Sequence, residues 1–278
     1  MIEQVGLIGF GEVGRVVSAD LGVGVRAFDI NPAKGADCTT LAETVRHADL
    51  VISAVTAAET VAAACAAVPH LKVGAWFMDL NSSSPEAKIA AAKAIDGAGG
   101  RYVEVAVMSP IEPKRLFSPM LLGGPNAEAF TPVALALGFA GAVFYSDVPG
   151  KAAATKLCRS VMIKGLEALI SESLLSARYY GVEDTVLESL NNLFPHADWP
   201  GYARYMMSRT LAHGTRRAEE MREAAKTVAA AGLTPWMSEA TADRQAWAPA
   251  FAALLRHNDL KDLLDGMRAQ LSNKDTAE

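Results

Sequence analysis

The sequence predicts an α/β protein in two parts. The first is a doubly wound sheet over residues 1–149. The second is an all-α C-terminal domain over 150–278, entered through a long interdomain helix. Three observations predict this. Short apolar runs alternate with helical patterns through the first half, and runs without polar alternation are those of a sheet covered on both faces. The alternation stops at Pro149-Gly150. From Lys151 to Tyr180 there is no Pro, no strand pattern and a single Gly, so this stretch reads as one helix of ~45 Å.

In order, strands are expected at Val5–Ile8, Val25–Phe28, Leu50–Ala54, Ala75–Leu80, Tyr102–Val107, Met120–Leu122 and Ala142–Tyr145, paired in parallel. Between them helices are expected at Glu12–Leu21, Thr56–Ala67, Pro85–Ala94 and Ala127–Leu137. Past the long helix, Gly181 is a stop signal. Further helices are expected at Glu183–Asn192, Tyr202–Thr210, Arg216–Ala231, Glu239–Arg256 and Leu260–Leu271, punctuated by Pro195, Pro200, Gly232 and Pro235.

Composition excludes several classes. The net charge of −5 and the lack of any Lys/Arg run give nucleic-acid binding no electrostatic basis. No apolar stretch reaches the ~18 residues of a membrane span. Cys38, Cys65 and Cys158 are too few and too scattered for a disulfide framework, which fits a reducing, cytoplasmic setting. The five histidines form no H-x-x-x-H pattern, so no metal site is expected.

Gly9-Phe10-Gly11-Glu12-Val13-Gly14 directly follows the first strand and opens the first helix. Strand, G-x-G-x-x-G, helix is the context in which backbone N–H groups and a helix N-terminus hold the pyrophosphate of a dinucleotide. This marks the first half as a Rossmann-type domain. Asp29 closes the second strand 20 residues past Gly9, where a carboxylate meets ribose hydroxyls and repels a 2′-phosphate. NAD is therefore expected, with NADP as the alternative. Ile30, Asn31, Ala54 and Val55 sit at the ends of the second and third strands and complete the expected cofactor contacts.

On the long helix, Lys156, Ser160, Lys164, Glu167 and Ser171 share one face. A solvent-facing stripe would explain that pattern. So would a lysine in a half-desolvated cleft, which can exchange a proton with an alcohol. Asp79-Leu80-Asn81-Ser82-Ser83-Ser84-Pro85 follows the fourth strand. Ser84 and Pro85 read as N-cap and first helical residue. Asn81, Ser82 and Ser83 offer polar groups to a substrate carboxylate.

These residues resemble the β-hydroxyacid dehydrogenases, the group of 3-hydroxyisobutyrate and 6-phosphogluconate dehydrogenases. The glycine loop matches the family's cofactor loop, and Asp79 to Pro85 its D-x-S-T-x-x-P motif, with Asn81 for Ser and Ser82 for Thr. Met120 to Gly124 resembles its strand ending in Gly-Gly. Gly150 to Lys156 matches part of G-x-x-G-x-G-x-x-x-K. The resemblance implies a hydride transfer between a nicotinamide and a 3-hydroxy acid or related alcohol. It makes Lys156 the general acid/base, assisted by Ser160 or Arg159, and implies a homodimer or homotetramer. Ser82, Ser83 and the backbone at Met108-Ser109 would anchor the acid.

The departures from the family are specific. Asp147 and Ala152 replace glycines before the lysine, and Arg159-Ser160 stand where the family has an Asn pair. Its P-V-S-G-G loop is Ala106-Val107-Met108-Ser109-Pro110, so the substrate pocket differs. His213, Arg216 and Arg217 cluster on a later helix and could hold a carboxylate or phosphate, or face solvent. Two other functions share the architecture: an imine reductase, against which Lys156 argues, and a non-catalytic NAD-binding sensor.

Overall fold

The structure is a computed structural model that describes residues 2–192 and 198–275; the expected break at Pro195 lies outside these. The chain divides into two compact units, Met1–Cys158 and Arg159–Glu278.

The first unit holds seven strands: β1 Gln4–Ile8, β2 Gly24–Phe28, β3 Leu50–Ser53, β4 Trp76–Asp79, β5 Arg101–Val107, β6 Met120–Gly123 and β7 Ala142–Ser146. They form one sheet in the order β2-β1-β3-β4-β5-β6-β7. Every residue of β3 and β4 is buried, as expected of strands covered on both faces. One face packs Leu7, Ile52, Met78, Val105 and Phe130. The other packs Ile8, Val51, Phe77, Ile95 and Tyr102.

The helices of this unit are α1 Glu12–Asp20, α2 Leu41–Val45, α3 Thr60–Ala67, α4 Pro85–Gly97 and α5 Ala127–Ala136. The short α2 was not expected from the sequence; Thr40 caps it by accepting from the Glu43 N–H at 3.3 Å. The expected all-parallel pairing fails at one place: β5 and β6 are antiparallel. The segment between them carries only a single 3-10 turn, Arg115–Phe117, where a parallel return needs a full crossover.

The chain leaves β1 for β2 on one side and returns to β3 on the other. That reversal opens a crevice at the carboxyl ends of β1 and β3, where open α/β sheets bind ligands.

Helix α6 runs Lys151–Tyr180 as one element. The expected boundary before Lys151 differs from the division by packing, because Ala152, Ala153 and Leu157 are buried and Lys151–Cys158 belongs to the first unit.

The second unit contains the rest of α6, then α7 Glu183–Ser189, α8 Trp199–Ala230, α9 Trp236–Trp247, a 3-10 stretch Ala248–Arg256, and α10 Leu260–Asp275. Its core gathers Leu174, Met207, Leu211, Phe251, Leu263 and Met267. Two expected helices, Tyr202–Thr210 and Arg216–Ala231, are one continuous α8. Gly214 lies at its middle, and a Cβ there would overlap the Gln245 carbonyl oxygen and the Pro249 ring, so this glycine serves close packing on α9 rather than a turn. The expected Glu239–Arg256 helix changes to 3-10 geometry at Ala248, one residue before Pro249.

Among the described residues, no helix is long and apolar enough to cross a membrane. None brings together three His, Cys, Asp or Glu side chains in a group that could hold a metal.

Candidate active site

The glycine loop spans the β1–β3 crevice. Gly9 has φ +95°, and a Cβ there would overlap the Ala54 carbonyl oxygen; a Cβ at Gly14 would overlap the Gly9 carbonyl oxygen. Both glycines are thus needed for the backbone to close on itself. Gly11 differs: a Cβ there would meet no protein atom within 4 Å, so the space over it is open. The N-terminus of α1 presents its first N–H groups to that space. These residues fit a pyrophosphate. Asp29 accepts from the Phe10 N–H and the Asn31 N–H, each at 2.8 Å, which ties the end of β2 to the loop. Ile30 is 88% exposed beside it, an apolar side chain held in water. Asn31 accepts from the Ala33 N–H at 3.0 Å and caps a 3-10 turn.

A continuous set of contacts runs along the strand ends from this loop to Lys156. Val55, after β3, donates its N–H to Asn81 Oδ1 at 2.7 Å. Asn81 Nδ2 donates to Ser53 Oγ at 3.0 Å. Next to Asn81, Ser82 Oγ accepts from Lys156 Nζ at 2.6 Å. Ser84 caps α4 by accepting from the Ala87 N–H at 3.3 Å. Ser83 is buried, and its Oγ has no hydrogen-bond partner in the structure.

Comparison with known proteins fits this geometry. Residues 4–145 match the model described as the NAD binding domain of 6-phosphogluconate dehydrogenase, about half the chain. Residues 177–248 match a second model, described as a domain of unknown function (DUF1932). The chain belongs to the β-hydroxyacid dehydrogenase family. A conserved hypothetical protein from Sinorhizobium meliloti 1021 is 34% identical, covers 97% of each chain and superimposes with a TM-score of 0.75. A conserved protein of unknown function, described as structurally similar to 3-hydroxyacid dehydrogenases, is 28% identical over 89% of this chain and 98% of its own, with a TM-score of 0.65. An uncharacterized 28.5 kDa protein of Methanothermus fervidus is 28% identical over 253 residues, 86% of this chain and 96% of its own. The family and fold make this β-hydroxyacid dehydrogenase homologue a nicotinamide-dependent oxidoreductase.

Several residues expected to act on substrate are held otherwise. Asn81 is 4% exposed, and both ends of its amide bind protein, so it fixes the β3 and β4 loops. The Met108 N–H donates to the Pro119 carbonyl at 2.8 Å and is not available to an acid. Ser109 Oγ donates to the Pro110 carbonyl at 3.0 Å. Ser160, paired with Lys156 in the sequence reading, accepts instead from Lys164 Nζ at 3.0 Å, and Arg159 is exposed. His213 and Arg216 lie on α8 of the second unit, where Arg216 donates to Glu220 at 2.7 Å.

Four charged or polar groups support the site from below, and of these only Asp79 was singled out from sequence. Asp79, at the end of β4, pairs with Lys88 Nζ of α4 at 2.8 Å, each side chain 1% exposed. Asp79 also accepts from the Asn81 N–H at 2.9 Å and from the Tyr102 hydroxyl at 2.6 Å. Burial, reinforced by Asp79, pushes the Tyr102 hydroxyl up, so it stays protonated and donates.

Glu104 on β5 accepts from the Gly150 N–H at 2.7 Å and the Ala152 N–H at 2.8 Å. It thus supplies the acceptor for the start of α6 from within the sheet, five residues before Lys156 counting from Lys151. Gly123 lies under this carboxylate, where a Cβ would overlap it.

Burial raises the Glu104 carboxyl, opposed by Lys88 and the two N–H groups and aided by Asp79. The folded protein then binds this proton more tightly than the unfolded chain. Glu104's contribution to stability accordingly falls as pH rises from the ordinary glutamate value through the raised one. Glu104→Gln is expected to flatten that part of the pH dependence, read as urea midpoints from pH 4 to 7. An unchanged profile would show that this carboxyl does not titrate there. The same variant offers one acceptor to two N–H groups and is expected to lower kcat about tenfold through a displaced Lys156.

Proposed function

We propose that the protein is an NAD-dependent dehydrogenase of 3-hydroxy acids or related alcohols, with Lys156 as its general acid/base. The observation that carries this reading is the 2.6 Å contact of Lys156 Nζ with Ser82 Oγ at the same strand ends that bear the glycine loop. It sets an amine beside the ligand edge of the sheet.

Gly9, Gly11, Gly14 and Asp29 would hold the dinucleotide, which when bound would supply the acceptor for the hydride that leaves the carbinol carbon. Lys156 Nζ takes the hydroxyl proton as the carbonyl forms, so one hydride and one proton leave the alcohol together. Ser82 accepts a hydrogen from Lys156 and keeps the amine aimed, while its own O–H is left to donate to the substrate's carboxylate. Glu104 and Asp79 hold the two segments that meet here. In the reverse direction the same amine returns its proton to the carbonyl oxygen. The test is a panel of 3-hydroxy acids, including bulky and aromatic ones, assayed for NAD reduction at mildly alkaline pH. Turnover on cyclic imines and on no hydroxy acid would overturn the reading.

NAD is favoured over NADP by Asp29. Both carboxylate oxygens already accept backbone N–H groups, which fixes its charge at the end of β2, where a 2′-phosphate would be repelled. Asp29→Ala is expected to weaken NAD about tenfold, the size of one charge-assisted hydrogen bond, and NADP less. Tryptophan-to-NADH energy transfer measures both constants. Tighter binding of NADP than NAD by the parent protein would overturn the assignment.

A further inference from the structure

A cleft of about 410 Å³ opens on the first unit, lined by Arg26, Thr40, Ala42, Glu43, Arg46 and His47. No residue expected to hold the dinucleotide is among them. The margin of the sheet builds it. β2 is an outermost strand, and its Arg26 stands in register with Gly6 of β1. Residues paired across a parallel ladder project to the same face of the sheet. A Cβ on Gly6 would overlap the Thr44 carbonyl oxygen, so this is the face that carries α2. Thr40, Glu43 and His47 follow steps of three and four, and Ala42 and Arg46 a step of four. One flank of α2 and its C-terminal end thus meet Arg26 at the step between the outer strand and its helix.

Arg26, Arg46 and His47 are exposed, and among the described residues their side chains have no hydrogen-bond or ion-pair partner. The carboxylate in the lining is engaged elsewhere: Glu43 accepts from the Thr39 N–H at 3.2 Å and from the Thr39 hydroxyl at 3.3 Å. Asp37, across from β2, accepts from the Ala27 N–H at 2.6 Å. The cations do not cap α2 either, since the Arg46 and Ala48 N–H groups take the Ala42 and Val45 carbonyls. Two guanidiniums and an imidazole therefore share one concavity with a single engaged carboxylate, in a chain whose 31 acids outnumber its 26 Lys and Arg. Charges of one sign gathered in a cleft focus their potential into it, and an anion relieves their mutual repulsion.

We propose that this cleft is a binding site for a phosphate group, with Arg26 and Arg46 on the phosphate oxygens and His47 beside them. A guanidinium fork matches two phosphate oxygens at once, whereas lysine would supply only a point charge. The phosphate is either free or carried on a small molecule, for which a cleft of this volume leaves room. The site stands apart from the glycine loop and does not depend on the hydride chemistry proposed above.

The experiment uses the full chain with ¹⁵N-labelled arginine and histidine side chains. It is titrated with inorganic phosphate and with ribose 5-phosphate at constant ionic strength, with and without NADH. Saturable shifts of the Arg26, Arg46 and His47 resonances are expected, alike in both conditions. Arg26→Gln and Arg46→Gln are each expected to weaken binding about tenfold, the size of one charge-assisted contact, with NADH binding and far-ultraviolet circular dichroism unchanged. Arg46→Lys, which keeps the charge without the fork, should fall between parent and Arg46→Gln. Tighter binding of ribose 5-phosphate than of phosphate supports the site and assigns it to a carried phosphate. Equal binding supports it as a site for the free anion. Shifts that only follow ionic strength, or binding unchanged in both glutamine variants, overturn the proposal. So do shifts that vanish when NADH is bound, which would place the phosphate at the glycine loop.

Discussion

Lys156→Ala is expected to lower kcat by ~10²–10⁴ while the NADH dissociation constant stays within about twofold. The split follows from where the side chain sits. Lys156 donates to Ser82 on the β4–α4 loop, whereas the pyrophosphate cradle is built from Gly9, Gly11, Gly14 and the start of α1. Removing the amine takes away the proton acceptor and leaves the cradle untouched. Lys156→Arg is a second arm: it keeps a cation beside Ser82 but cannot act as a base near neutral pH, so its kcat should fall as far as that of Lys156→Ala. Steady-state kinetics with the best hydroxy acid of the panel, plus an NADH fluorescence titration, decide the matter. Equal kcat in parent and Lys156→Ala would remove this residue from the chemistry and leave Ser82 as its structural partner alone.

The parts of this site that could be read from sequence are those set by local backbone demands. A tight turn between a strand and a helix requires glycine, and the same spacing that revealed Gly9, Gly11 and Gly14 also located Asp29. Lys156 was singled out by the resemblance over Gly150 to Lys156, since its place in a row of polar residues on a long helix fits a solvent-facing stripe equally well. The support beneath was harder to read. Lys88 lies in an alanine-rich helix beside an ordinary exposed-looking pattern, and nothing local distinguishes it from Lys93. Its role arises only when β4 carries Asp79 against it.

Glu104 did leave a signal, since a charged residue inside Arg101–Val107 breaks an otherwise apolar buried strand. Its partners, however, are backbone groups 46 and 48 residues away, which no periodicity reports. Asn81 shows the opposite error. Its place in a substrate motif suggested a ligand contact, yet its amide is used within the protein to join Val55 and Ser53. In the second unit, the gap expected between Tyr202–Thr210 and Arg216–Ala231 contains Gly214, which lies at a helix crossing rather than a turn.

The largest effect on stability is expected from Lys88→Met. Lys88 and Asp79 are each 1% exposed and lie 2.8 Å apart, and Lys88 Nζ also donates to the Asp79 carbonyl at 3.0 Å. Replacing only the cation leaves a carboxylate without its counter-charge inside the sheet's support. That loss amounts to about 3–5 kcal/mol, or a fall in Tm of roughly 10 °C. Neutralising both partners tests whether the cost comes from the abandoned charge or from lost packing. In the double variant Asp79→Asn/Lys88→Met, the amide oxygen still accepts from the Asn81 N–H, and neither member of the pair carries a charge. About half or more of the lost stability should return. Because Asp79 also holds the Asn81 N–H at 2.9 Å, and Ser82 follows directly, the single variant should lose activity at temperatures well below its midpoint. The double variant should regain it. Urea unfolding of the parent, single and double variants at pH 7 gives the three free energies. A single variant within about 1 kcal/mol of the parent would mean that water reaches Asp79 when Lys88 is removed, and that this pair does not hold the β4–α4 loop in place.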